Sequence, residues 1–361
     1  MALSPNYGFP EPDNTGLVKN GAQDMRALGD AIDAFLFRPL ARNFIINGNF
    51  DIFQRSTFNS QTASNYSLDR WYAGVGGTVT ITQQTTGVPV GAQFCMRIAY
   101  NAASSFANQF QALESANARM LAGQTVTATI LVRANASWAA TSGQSLNFYV
   151  EKNSTPNTLT GGTWTSIGTT VVTAASIATG TTSSSWTKLT ITCAVPNDGT
   201  AAGLRVRIGE AVVGPSGAYW EMAQCQLEVG SQATPFTRAG ENIQAELAMC
   251  QRYYWRWNAS SNFATCGIGA ASSTTVGVIT VLHPVPMRTA VSAIDSSANS
   301  TLRLQDQVTG LTQTGASIEV SQQDVLKTDL NITVSGATQY RFYRYGANNS
   351  TSAFVGFSAE L

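Results

Sequence analysis

The chain has 361 residues and sets 21 Lys and Arg against 21 Asp and Glu, with a charged fraction of 12%, half the ~25% of an ordinary soluble protein. A surface with so little charge and no basic surplus argues against nucleic acid or an anionic membrane as partner. A single histidine, His283, excludes a His-rich metal site, while 43% hydrophobic residues are enough to bury a core, which the length suggests is divided over two or three units.

Residues 1–16 hold Pro5, Pro10 and Pro12 with Gly8 and Gly16 and read as an extended arm, neither helix nor central strand. There is no basic region followed by an apolar run to mark a signal peptide, and no stretch of ~18 apolar residues that would span a membrane. From 18 to 37 the period changes. Val18, Met25, Leu28, Ile32 and Phe35 recur at coiled-coil spacing, with Gly21 weakening the start of the seam and Pro39 closing it. A helix this short is marginal alone, so it must pack against copies of itself, three in a fibre, or dock on the rest of the chain. Residues 1–42 form this first segment.

Residues 43–238 alternate with a period of two. Examples are Phe94, Met96, Ile98 and Tyr100; Val126, Ala128, Ile130 and Val132; Leu146, Phe148 and Val150; Leu204, Val206 and Ile208. Each run has one apolar and one Ser/Thr/Gln-rich face, as half-buried antiparallel strands require. The expected fold class is mainly β: an antiparallel β-sandwich of the jelly-roll kind, followed by a linking helix and a smaller β domain. Residues 154–185, rich in Thr, Ser and Gly, read as a long hairpin or surface loop. In 239–257, Ile243, Leu247, Cys250 and Tyr254 make a helical stripe, with Tyr253, Tyr254, Trp255 and Trp257 as an aromatic hinge behind it. Period two returns over 258–361, where Leu330, Ile332 and Val334, then Val355, Phe357 and Ala359, mark a second β domain that ends in a strand.

The five cysteines contain no CxxC pair, which fits neither a zinc framework nor a closed disulfide set. They read as buried free thiols of a protein that folds in a reducing compartment. No phosphate-binding glycine loop and no GxSxG elbow are present, and His283, just before Pro284, reads as structural. The carboxylates Asp51, Asp69, Glu114, Glu151, Glu210, Glu221 and Glu228 could serve a glycosidase only as a pair at ~5–5.5 Å or ~6.5–9.5 Å, a spacing that sequence does not supply. Asp69 beside Arg70 is explained by an ion pair or turn cap. No enzyme activity and no cofactor are expected. The one metal with a candidate ligand is a structural calcium on Asp51, with Glu221 or Glu228 as partners, against the alternative of ordinary hydrogen-bonded acids. For sugar stacking, Trp138 in ANASWAATSG and Trp164 in GGTWTSIG lie in polar loop sequence and are the candidates. The alternative is that each caps a core or a subunit interface. Trp71, Trp186 and Trp220 sit in strand-like runs and are expected in the core.

Several stretches resemble bacteriophage proteins. NFIINGNFDIFQR (Asn43–Arg55) followed by SLDRWYAG (Ser67–Gly74) is similar to the opening of the β-sandwich of phage tail fibre and virion-associated proteins. QCQLEVGSQATPFTR (Gln224–Arg238) resembles that domain's exit. ENIQAELAMCQRYYWRW (Glu241–Trp257) resembles the helix behind it, and HPVPMRTA (His283–Ala290) the downstream domain. LSPNYGFPEPDNTG is similar to a short attachment segment. The resemblance implies a non-enzymatic homotrimer with a carbohydrate-binding-module-like jelly roll. It would be made in the host cytoplasm and localised to the virion, where residues 1–40 attach to other tail, baseplate or capsid proteins and the β domains meet host surface glycan. A capsid-decorating or baseplate component without receptor binding is the other role it allows. It also implies that Asn47, Gly48, Phe50, Asp51, Asp69, Arg70, Trp71, Gln251, Arg252 and Tyr253 are framework residues.

Overall fold

The structure is a computed structural model that describes residues 2–3, 10–11, 20–36, 43–55, 58–306, 308–319 and 324–361. It divides into two compact units, Met1–Arg42 and Asn43–Leu361. In the first, β1 (Ala2–Leu3) pairs antiparallel with β2 (Pro10–Glu11), and α1 runs over Gly21–Leu36. On α1 the seam residues Met25 and Ile32 are 73% and 38% exposed, and Leu28 is half-buried. Val18 lies outside the described residues, as does the side chain of Phe35.

The second unit begins with a sandwich of two antiparallel six-stranded sheets. Its strands in chain order are β3 (Phe58–Gln61), β4 (Asn65–Tyr66), β5 (Tyr72–Gly76), β6 (Val79–Gln84), β7 (Cys95–Tyr100), β8 (Phe106–Ala112), β9 (Thr125–Ala134), β10 (Ser145–Asn153), β11 (Thr165–Thr173), β12 (Thr187–Ala194), β13 (Gly203–Glu210) and β14 (Tyr219–Val229). One sheet is ordered β11-β10-β13-β8-β5-β4, the other β12-β9-β14-β7-β6-β3. The chain crosses between sheets after β8 through α2 (Ser115–Met120) and after β9 through α3 (Ala136–Ala139), the jelly-roll path. The apolar faces read from the sequence meet in one core that includes Ile98, Val126, Ile130, Phe148, Val206 and Trp220. The Ser/Thr/Gly-rich stretch 154–185 takes the hairpin alternative, because TSIGTTVVT has the β-branched residues of a strand and folds back on β10 as the sheet-edge strand β11.

The helix after the sandwich, α4, covers Ile243–Gln251 and stops before the aromatic cluster. Tyr254 therefore does not continue the helical stripe. It opens β15 (Tyr254–Asn258), which pairs with β24 (Phe354–Ser358), and Trp255 stacks on Phe357 with ring centroids 5.2 Å apart. Aromatic residues favour a pleated sheet, and the partner strand supplies the stacking surface. Between these two strands lie β16 (Thr265–Ala271), β17 (Val276–Leu282), β18 (Ala293–Ser296), β19 (Leu302–Gln305), β20 (Gly310–Thr312), β21 (Gly315–Ile318), β22 (Lys327–Thr333) and β23 (Phe342–Ala347). They form a three-stranded sheet, β15-β24-β18, and a seven-stranded sheet, β20-β19-β23-β16-β17-β22-β21. Their own core contains Ile279, Leu304, Leu330, Tyr345 and Phe357. His283 is held by Val325 O at 3.0 Å and Thr328 Oγ1 at 2.9 Å, a structural role.

The framework residues converge where the sandwich meets α4 and the second β domain. Asn47 has a positive φ of 57°. Its backbone N–H donates to the buried Glu246 of α4, its amide donates to Ile52 O and Asp69 O, and its carbonyl accepts the indole N–H of Trp71 at 3.1 Å. Gly48 is required by close approach, since a Cβ there would lie 2.0 Å from the Cys225 carbonyl oxygen. Asp69 and Arg70 do not pair with each other. Asp69 accepts from the backbone and amide of Gln54 at 2.6 Å each, whereas Arg70 reaches Glu360 at 2.6 Å and lies on the Tyr253 ring.

Candidate functional site

The β11-β10-β13-β8-β5-β4 sheet turns one side chain of each alternating pair into the core and the other away from it. On the side opposite Leu146, Phe148, Val206 and Ile208, one cross-strand row reads Tyr66, Tyr72, Phe110, Arg207, Tyr149, Thr169. All six are half-buried or exposed. With ~4.8 Å between strands, the row extends roughly 24 Å across the sheet. The Tyr66 and Tyr72 rings meet edge to face at 5.3 Å, Tyr72 and Phe110 lie 6.2 Å apart, and the Arg207 guanidinium sits 3.7 Å from the Tyr149 ring centre. Glycine lowers the surface between the rings: a Cβ on Gly74 would come within 2.8 Å of the Phe110 ring.

A charged cluster borders the row. Glu151 binds Arg205 at 2.6 Å and Arg207 at 2.9 Å, and Arg205 donates to Leu159 O at 2.8 Å. Its guanidinium lies between Phe110 and Trp164, at 4.7 and 4.2 Å. Burial pulls Arg205 below the ordinary guanidinium range, while the Glu151 carboxylate works in the other direction. Trp164, half-buried ahead of β11, thus belongs to this face, and its indole N–H has no hydrogen-bond partner among the described residues. Flat rings with fixed donors and acceptors between them are what a small polar ligand with an apolar face requires.

The other sugar candidate belongs elsewhere. Trp138 is fully buried in the sandwich core and no ligand can reach its ring. The polar residues around it build α3, whose cap Asn135 accepts the Trp138 backbone N–H at 3.0 Å. The helix turns the indole inward, where it donates to Glu210 at 2.7 Å. Burial pushes the Glu210 carboxyl well above the carboxylate range, against the opposing Ala107 N–H. Trp71 and Trp220 are core residues. Trp186 instead stays half-buried beneath the Arg133 guanidinium, 4.4 Å from its ring centre.

The calcium assignment at Asp51 is corrected by its neighbour. Arg238 lies 2.7 Å from Asp51 Oδ2, so a guanidinium holds the position a cation would take. Glu221 is bound by Arg97 and Arg133, and Glu228 accepts from the backbone and hydroxyl of Thr234 and from Gln226. No group of three or more metal-ligating side chains occurs among the described residues. The remaining acids read as catalytic candidates also have partners: Glu114 pairs with Arg252 at 3.1 Å, Glu151 with two arginines, Asp69 with Gln54 and Glu210 with Trp138.

Sequence reasoning missed Tyr66, Tyr72, Phe110, Arg207 and Tyr149. Their signal was the second face of the alternation that located the core: Tyr149 lies between Phe148 and Val150, and Arg207 between Val206 and Ile208.

No family model matches the sequence, and no curated protein matches it. Among solved structures, TmCBM61 in complex with β-1,4-galactotriose is 12% identical, with alignment over 52% of this chain and 99% of that one at a TM-score of 0.32. A putative sugar binding protein from Bacteroides thetaiotaomicron is 13% identical, over 52% and 100% of the two chains, at 0.33. The enzymatically active domain of bacteriophage CBA120 tailspike protein 4 is 13% identical, and the alignment spans 52% of this chain but only 21% of the tailspike, at 0.33.

Proposed function

We propose that this protein is a non-catalytic, glycan-recognising component of a phage particle, with its sugar-binding face on the sheet row Tyr66, Tyr72, Phe110, Arg207 and Tyr149. The observation that carries the reading is the row itself: four aromatic rings and a guanidinium in register across five strands, edged by Glu151, Arg205 and Trp164. Rings accept the C–H face of a pyranose, and the carboxylate and guanidinium groups exchange hydrogen bonds with its hydroxyls. The Ser/Thr-rich strands around the row add neutral donors and acceptors.

The virion role rests on the sequence resemblance, and the trimer on α1, whose Met25 and Ile32 side chains are exposed apolar groups that three copies would bury in a common seam. In this reading residues 1–40 hold the chain to tail, baseplate or capsid proteins and the β domains reach host glycan, as in a short tail fibre or receptor-binding protein.

The test is calorimetric titration of the full chain with neutral hexose, pentose and N-acetylhexosamine oligosaccharides, beside Tyr149→Ala and Tyr72→Ala variants checked for folding by circular dichroism. Binding lost in both variants supports the face, and binding retained in both refutes it. Failure of the whole panel, with the chain located on purified particles, selects the capsid-decorating or baseplate role. Light scattering should give three copies, falling to one in Met25→Asp with Ile32→Asp. A monomeric wild-type chain refutes the seam.

A further inference from the structure

The second β domain has a cleft of its own. An open cavity of about 610 Å³ lies beside the paired strands β19 and β23 and is lined by Gln305, Asp306, Val308, Arg341, Phe342 and Arg344. Its volume falls within the 300–1,000 Å³ usual for small-ligand sites. Phe342 forms an aromatic wall and is 58% exposed. Arg344 is exposed and opposite Gln305 in the strand register, and its guanidinium makes no hydrogen bond or ion pair among the described residues. Arg303 comes from the next position on the same face, its guanidinium 4.5 Å from the Phe263 ring centre, and the positive charge of Arg344 helps hold it below the ordinary guanidinium range, after burial.

Charge around the cleft does not balance. The one carboxylate in its lining, Asp306, is already committed: Oδ1 accepts the Val308 and Thr309 backbone N–H groups at 2.7 and 2.5 Å, and Oδ2 meets Arg341 at 2.9 Å. Two arginines in the lining against one such acid, with Arg303 beside them donating to Gln305, leave a positive surplus in a chain with only 21 basic residues in all. The surplus is local. Along the same sheet face the positions beside Phe342 and Arg344 are Ala270 and Ile268, and beyond them Val278 and Thr280, all uncharged. A long polyanion would find no track there, whereas one compact anionic group would.

We propose that this cleft binds an acidic sugar, with the pyranose ring on Phe342 and the carboxylate held by Arg344. Guanidinium matches carboxylate in a two-point fork, and the exposed phenyl ring beside it suits a ligand that combines an anion with an apolar ring face rather than a free inorganic ion. The site is separate from the sandwich row and uses none of its residues, so either can fail alone.

The experiment titrates the full chain with galacturonate oligomers, with oligosaccharides containing glucuronate, and with sialyllactose. Each is run beside its methyl ester, which keeps the ring and removes the charge. Inorganic phosphate is the simple-anion probe. The expected result is binding of at least one acid, with affinity falling about 10-fold or more for its ester and for Arg344→Gln, the range of a hydrogen bond to a charged group. Phe342→Ala should also weaken it, while titration of the sandwich row with neutral sugars stays unchanged in both variants. Both side chains are exposed, so folding should persist, as circular dichroism will show. The inference is overturned if no acid binds, if ester and acid bind equally, if phosphate binds as tightly as the sugar, or if binding survives Arg344→Gln and disappears in Tyr149→Ala.

Discussion

Glu360 offers the sharpest test of how the two β regions hold together. Its carboxylate meets Arg70 at 2.6 Å and Arg55 at 3.1 Å, and the Arg70 and Glu360 side chains are only 2% and 4% exposed. Arg70 also donates to Ala112 O at 2.8 Å and lies 3.5 Å from the Tyr253 ring centre, so it stays in place when its acid is removed. Glu360→Gln then leaves a buried guanidinium without a counter-charge. Breaking such a pair costs about 3–5 kcal/mol, a large share of the ~5–15 kcal/mol that stabilises a domain. The retained amide oxygen keeps one hydrogen bond and puts the expectation near the lower bound. Urea unfolding at pH 7, followed by tryptophan fluorescence and by circular dichroism, gives the measurement. In the double variant with Arg70→Met the losses should fall short of additive by about 1 kcal/mol or more, because the second change removes the stranded charge. A Glu360→Gln protein within about 0.5 kcal/mol of wild type would refute the clamp.

Asp69 links stability to pH. Burial lifts its carboxyl to about 6, against the pull of Arg55 and Gln54, while in the unfolded chain it ionises near ~3.9. The protonated form is favoured by folding, so this contribution is fully present below pH ~4 and is lost as pH rises to about 6, by up to about 3 kcal/mol. Urea midpoints across that window should fall less steeply in Asp69→Asn than in wild type, the buried Glu210 contributing in the same direction to both; parallel profiles would discard the assignment. Trp138→Ala should cost about 3–5 kcal/mol through the cavity it leaves and leave the sugar affinity of the folded protein unchanged, so selective loss of affinity in calorimetry would return Trp138 to a binding role. Gly48→Ala should destabilise by about 1–3 kcal/mol, because the new methyl meets the Cys225 carbonyl, whose residue's N–H donates to Gly48 O at 2.8 Å. An unchanged denaturation midpoint would contradict that contact.

The fold was legible wherever a single face of an element decides its place. Runs such as Val126–Val132 and Leu204–Ile208 carry the period of two of a strand, and their apolar residues line the core as expected, although the alternate positions Thr127 and Thr129 are buried as well. Elsewhere local composition competes with long-range pairing. Tyr254 continues a helical stripe on paper, but β24 lies far away in sequence, pairs with Tyr254–Asn258 and stacks Phe357 on Trp255, so long-range pairing overrode the local pattern. For β11 the sequence left hairpin and loop open, and the edge of β10 decides for the hairpin.

The proposed binding face shows in alternation rather than in composition. A tryptophan in polar sequence suggests exposure, yet polar residues are also what cap a helix, and Asn135 uses its side chain to turn Trp138 into the core. Conversely, an arginine between two valines or isoleucines looks like an isolated surface charge until register places it opposite Tyr149 on one side and Phe110 on the other. A row of this kind depends on which strands are neighbours, and that order is set by the chain's repeated crossings between the two sheets, not by any one strand. The same strand patterns therefore located the core directly, since every strand contributes to it alone, whereas the site exists only as a relation among five strands and needed the structure to bring them into line.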